Sequence, residues 1–184
     1  MKNYLLAAAM LCGSFAANAQ ELRSETQAVR CAAISFIHTS LSASNPAFGE
    51  AMTQSGIFYG GLFGASRKIR TGLTTTNGEV NARRELVLEE LKKTWVSNPE
   101  VVVRETALCN TWRGQFGPQL TAWKDDGNET ELVRIVGEPP VSPSKEEIEK
   151  WRPIVPLAFT AWATLDYSTP ASVRRKLVES MKAP

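Results

Sequence analysis

The sequence predicts an all-α protein, a disulfide-tied helical bundle with a proline-kinked C-terminal helical extension. Three observations lead there. Apolar residues recur at three- and four-residue intervals through several long stretches. Caps, prolines and glycines punctuate those stretches where helices should start and stop. Two cysteines, Cys31 and Cys109, remain once an export leader is set aside, and each falls within a predicted helix.

Residues 1–19 read as a signal peptide. Lys2 supplies a positive start, Tyr4 to Ala17 a short apolar run, and Ala17-Asn18-Ala19 a small-x-small cleavage site before Gln20. Cys12 follows Leu11 rather than a small residue, so a lipid anchor is not expected. The expected location is outside the cytoplasm: periplasmic in a Gram-negative host, secreted in any other. About 165 residues remain, enough for a sizeable core. They divide into a helical body over 20–136, a Pro-rich linker over 137–143, and a helical extension over 144–184 that packs on the body. The formal charge of +2 is spread as interspersed acids and bases, which excludes nucleic acid as an expected partner. No second apolar run is long enough to cross a membrane.

The first helix is expected from Glu21 to about Leu41. Leu22, Val29, Ala33, Phe36, Ile37 and Leu41 share its apolar face, and Arg23, Glu25, Gln27 and Arg30 its wet one. Asn45-Pro46 caps and opens a second helix. Within it Gly56, Gly60 and Gly64 recur every fourth residue, forming a shallow trough beside Tyr59 and Phe63. Glycine inside a helix costs about 1 kcal/mol relative to alanine, so close approach of a neighbouring helix is expected to offset it. A Gly60-Gly61 hairpin is the competing reading, but the helical period runs past both ends. This helix is expected to be the central one, closed by Lys68 and Arg70 near its negative end.

A third helix is expected from near Glu79 to Val96, after a polar connection from Thr71 to Gly78. Ser97-Asn98-Pro99-Glu100 closes it and opens a fourth, which Gly114 and Gly117-Pro118 should break. Pro118 to Asp125 is then a short helix of its own, and Glu131 to Val136 a strand or a helix. Ser144-Lys145-Glu146-Glu147 forms a capping box. That helix must end or kink near Trp151, because Pro153 and Pro156 follow. Leu157 to Leu165 and a stretch after Thr169-Pro170 complete the extension.

Candidate chemistry is sparse. His38 is the only histidine and has no Ser, Cys or Asp pattern around it; it reads as a surface or half-buried helix residue. One His and two Cys do not make a transition-metal site, so neither a metal nor another cofactor is expected. Glu85 with Glu89 and Glu100 with Glu105 are the carboxylate pairs an acid–base hydrolase would need, but solvated helix faces explain them. The run Asp125, Asp126, Glu129 and Glu131 lacks the ligand spacing of a calcium loop, and Asn128-Glu129-Thr130 is a formal glycosylation sequon. Most of the five tryptophans fall on apolar stripes; Trp123 and Trp151 flank the linker and are candidates for an exposed partner surface.

These observations carry no catalytic constellation. The expected function is an exported, non-enzymatic protein-binding or accessory factor of the cell envelope, such as an inhibitor, chaperone or assembly partner. One alternative is a carrier of a small apolar ligand, with its pocket beside the Gly56–Gly64 helix. The other is a carboxylate-based envelope hydrolase. Cys31 and Cys109 are expected to be bonded, because export delivers them to an oxidising compartment and their wide separation suits a structural staple.

Overall fold

The computed structural model describes residues 24–126, 140–165 and 171–180. The leader, the stretch Glu131 to Val136, the sequon and the linker up to Pro139 lie outside them. The described chain is helical: α1 (residues 24–39), a 3-10 turn (Ser40–Ala43), α2 (Pro46–Thr71), α3 (Asn77–Ser97), α4 (Pro99–Asp126), α5 (Lys145–Trp151), α6 (Ile154–Leu165) and α7 (Ala171–Ser180). Among the described residues no helix is long and apolar enough to cross a membrane.

The centre is α1, not α2 as the glycine pattern suggested. Ala28, Val29, Cys31, Ala32, Ala33, Ile34, Ile37 and His38 are all buried, and successive positions point in every direction around the helix axis. Three alanines in that run let neighbouring helices approach closely from several sides. By contrast Glu50, Gln54, Ile57 and Gly61 leave one flank of α2 exposed.

Centrality also changes what the polar residues of α1 do. Glu25 was expected to face water but is buried, and Arg70 of α2 grips its carboxylate through Nε (2.7 Å) and Nη2 (2.9 Å). Arg30 is 13% exposed and spans two helices, donating to Glu90 of α3 (2.7 Å) and to both carboxylate oxygens of Glu105 on α4 (3.0 and 2.9 Å). Those two acids hold the Arg30 guanidinium pKa above its ordinary value against the opposing effect of burial. Each buried charge has its counterion, which is the condition for keeping it there.

Local chemistry sets the helix ends. Asn45 accepts the Phe48 N–H (3.1 Å) ahead of Pro46, and α2 stops at Gly72, whose φ of 71° is left-handed. Thr76 and Glu79 form a reciprocal capping box, so α3 begins at Asn77 inside the expected polar connection. Ser144 accepts the Glu147 N–H (3.1 Å), but Glu147 sends its carboxylate elsewhere, leaving half of the expected box. The chain turns at Arg152-Pro153 after α5, and Pro156 sits in the first turn of α6, where a missing N–H costs little.

The fourth helix overturns an expectation. It runs unbroken through Pro118. A proline ring clashes with the carbonyl four residues back and restricts the residue before it. Here those residues are Gly114 and Gly117, and nothing lies within 4 Å of a Cβ built on either. Without a Cβ, Gly117 is the residue least restricted by a following proline, so one of the two penalties is lightened while the N–H is still missing.

The Cys31–Cys109 disulfide ties α1 to α4, with Cα atoms 5.4 Å apart and a sequence separation of 78. For a loop of that length the chain-entropy description gives about 4.5 kcal/mol of stabilisation. Around it the core is aromatic: Tyr59 lies 5.8 Å from Trp112, and Trp95 stacks on Phe159 at 4.7 Å. From α6, Phe159 and Trp162 join this core, and Ser40 of the 3-10 turn donates to the Ala158 carbonyl (3.0 Å).

Candidate binding groove and the buried polar cluster

The residues grouped by the glycine pattern separate onto two faces of α2. Tyr59 and Phe63 turn inward and are buried. Burial raises the Tyr59 phenol pKa, and its hydroxyl donates to the Cys109 carbonyl. Gly56, Gly60 and Gly64, with Gly61, instead floor a groove of about 810 Å³ between α1, α2 and α3. From Gly56 to Gly64 that floor runs about 12 Å at 1.5 Å per residue.

Its walls were not foreseen. Phe36 comes from α1, Ile57 from α2, and Val80 and Arg84 from α3, with Thr75 at one end. The Arg84 guanidinium lies 4.5 Å from the Phe36 ring centroid, a cation–π arrangement that holds both at the rim. Ile57 is 59% exposed. The one available signal was that Ile57 falls off the buried stripe of α2, since Val80 and Arg84 enter only through tertiary packing.

The glycines are not required by the packing around them. A Cβ at Gly56 would lie 3.8 Å from Ser35, one at Gly60 3.5 Å from Val80, and one at Gly64 3.7 Å from Thr75. Those are ordinary contacts. At Gly61 a Cβ would meet nothing within 4 Å. The expected close approach of a neighbouring helix is therefore absent at the trough. It occurs at Gly49, where a Cβ would come within 2.2 Å of the Ser42 side chain.

Trp151 also departs from expectation: it is 3% exposed, not a surface platform. Its indole N–H donates to Glu147 Oε1 (2.6 Å), which also accepts from Asn110 of α4 (2.6 Å). Satisfying the N–H locally frees the ring to pack inward. The side chain of Trp123 lies outside the described residues.

Beneath Trp151 is His38, expected near the surface but 1% exposed. Its ring centroid is 5.2 Å from Trp151 and 6.1 Å from Phe48. Nε2 is 3.5 Å from Thr106 Oγ1, and Thr106 gives its own hydroxyl proton to the Val102 carbonyl (2.9 Å). That leaves the threonine oxygen as acceptor and Nε2–H as donor. Nδ1 is buried without a partner, beside a cavity of about 20 Å³. Burial depresses the His38 pKa to about 3, so the ring is neutral at ordinary pH. Among the described residues no carboxylate is bonded to it, and a ring 1% exposed is not arranged as a general base.

The carboxylate pairs are committed to cations. Glu85 meets Arg84 (3.5 Å), Glu89 meets Lys92 (2.5 Å), Glu105 meets Arg30, and Glu100 meets Arg152 and Arg104. The Arg152 hydrogen bond lowers the Glu100 pKa, the direction opposite to that of a catalytic acid. Among the described residues no cluster of three His, Cys, Asp or Glu side chains is placed to hold a metal ion. Comparison of the chain with known protein families, characterised proteins and solved structures gave no match.

Proposed function

We propose that the protein is an exported binding factor that receives an apolar or amphipathic segment of an envelope partner protein in the α2–α3 groove. The reading rests on one observation. Gly56, Gly60, Gly61 and Gly64 each carry the helix penalty of about 1 kcal/mol, and among the described residues no contact requires any of them to be glycine. Among the described residues nothing supplies the compensation, and an occupant of the groove would. A bare backbone floor flanked by Phe36 and Ile57 suits a helix laid into a groove, with its own side chains filling the space the glycines leave. The export part of the proposal is supported by the leader-like sequence at 1–19 and is compatible with the Cys31–Cys109 bond.

A second reading keeps the same groove and changes its occupant to a small apolar ligand with a polar end. Its volume lies within the range of small-molecule sites. The Thr75 hydroxyl and Arg84 Nε are buried there without hydrogen-bond partners.

Gly60→Leu tests both readings, because it fills the groove from its floor. The wild-type protein should capture one envelope protein in stoichiometric amount from an extract, and the folded variant should not. A lipid or small molecule that co-purifies with wild type and is lost from the variant would move the assignment to the second reading. Unchanged capture by a folded Gly60→Leu protein would remove the groove from the function.

A further inference from the structure

We propose that His38 is an acid-sensitive latch that holds α5 against the helical body and releases it when the imidazole is protonated. The inference is independent of the groove. It begins from the position of the ring: His38 sits under Trp151, the one buried residue of α5, with Phe48 of α2 at its edge and Thr106 of α4 at Nε2. The seat of α5 is thus built on this side chain.

The neutral ring fits that seat and the charged ring does not. With Nε2 facing Thr106, a second proton must go to Nδ1, which has no acceptor in the structure. The adjoining cavity of about 20 Å³ has room for a single water, too little to hydrate a cation.

Among the described residues no group around the ring offers a free counterion. On α2, Tyr59 donates to the Cys109 carbonyl. On α4, Glu105 is held by Arg30, and Arg113 donates to Ser55 and to the Ala51 carbonyl. On α5, Glu147 Oε1 already accepts from Asn110 and Trp151 and lies 3.7 Å from Lys150. Lys150 also sits 5.7 Å from the Trp151 ring centroid, so a second cation on the inner face of that ring would be opposed. Burial disfavours the charged ring, as its depressed pKa records.

Moving α5 outward is the cheapest relief. It is seven residues long and lies between the non-helical stretch 140–144 and the Arg152-Pro153 turn. Its polar ties to the body are few: Asn110 to Glu147, and the neighbouring Arg152 to Glu100 on α4. Release would admit water to Nδ1 while leaving α1 to α4 and their disulfide in place. The sign follows from proton uptake. The released state binds a proton near the ordinary histidine pKa and the seated state does not, so seating is favoured above about pH 6.5 and weakens below it.

Amide hydrogen exchange of the full exported chain tests the latch, with protection compared at pH 7.5 and 5.0 after correction for chemical exchange rates. Protection of residues 145–151 should fall about thirtyfold over that interval in the wild type. It should stay flat in His38→Gln, which is neutral and keeps a donor for Thr106. An equal fall in the variant, no fall in the wild type, or an equal fall across α2 and α3 would overturn the proposal. Should His38→Gln not fold, NMR titration of the single wild-type imidazole decides it: silence down to pH 5 is expected, and titration near pH 6.5 in the seated state would overturn the latch.

Discussion

At the scale of single residues, the glycines of α2 separate two meanings that one letter carries. Gly49 is needed, because a Cβ there would run into Ser42. Gly49→Ala should lower stability by about 1–3 kcal/mol through overpacking. Gly61 is not needed by the fold, and Gly61→Ala should raise stability by about 1 kcal/mol through helix propensity. Urea titration of the two variants measures both, with opposite signs expected. The regular spacing of Gly56, Gly60 and Gly64 was legible in the sequence; which glycine touches another chain segment was not, because that depends on where the Ser40–Ala43 turn folds back. His38 and Trp151 were misjudged for a related reason. Each lies at the end of a helical period, and a residue 113 positions away decides whether it is covered.

At the scale of helices, the sequence was most readable where the chemistry is local. Asn45-Pro46, Ser97-Asn98-Pro99 and Ser144 mark helix starts that the structure keeps. The Thr76–Glu79 box was equally local and readable, and it moves the start of α3 into the expected connection. Pro118 shows where a local rule fails: α4 runs through it, with Gly117 easing the restriction on the preceding residue while the N–H stays missing. Pro118→Ala would return an N–H to the Gly114 carbonyl and should stabilise α4 by up to about 3 kcal/mol. Thermal unfolding of the variant measures this; a lower melting temperature would mean that the proline geometry itself is used. The face assignment of α1 failed at this scale. A helix with polar residues on one side looks amphipathic until Arg70, Glu90 and Glu105 arrive to neutralise them.

For the whole molecule, the all-α class and the disulfide followed from periodicity and cysteine count, and the structure carries both. The order of layers did not follow, since amphipathic patterns name a buried face without naming what buries it. Removing the bond with Cys31→Ala and Cys109→Ala together should cost about 4.5 kcal/mol, which for a chain of this size lowers the melting temperature by about 10–15 °C. Scanning calorimetry of the double variant against the oxidised protein checks it. The position of α1 also bears on the order of synthesis. The helix at the centre precedes the helices that cover it in the chain, and Cys109 on the α4 wall follows Cys31 by 78 positions. At about 5–20 residues per second, that interval is on the order of ten seconds. Through it α2 and α3 can form but the α4 side of the helix stays bare, so the segment that ends up best hidden waits longest for its full cover.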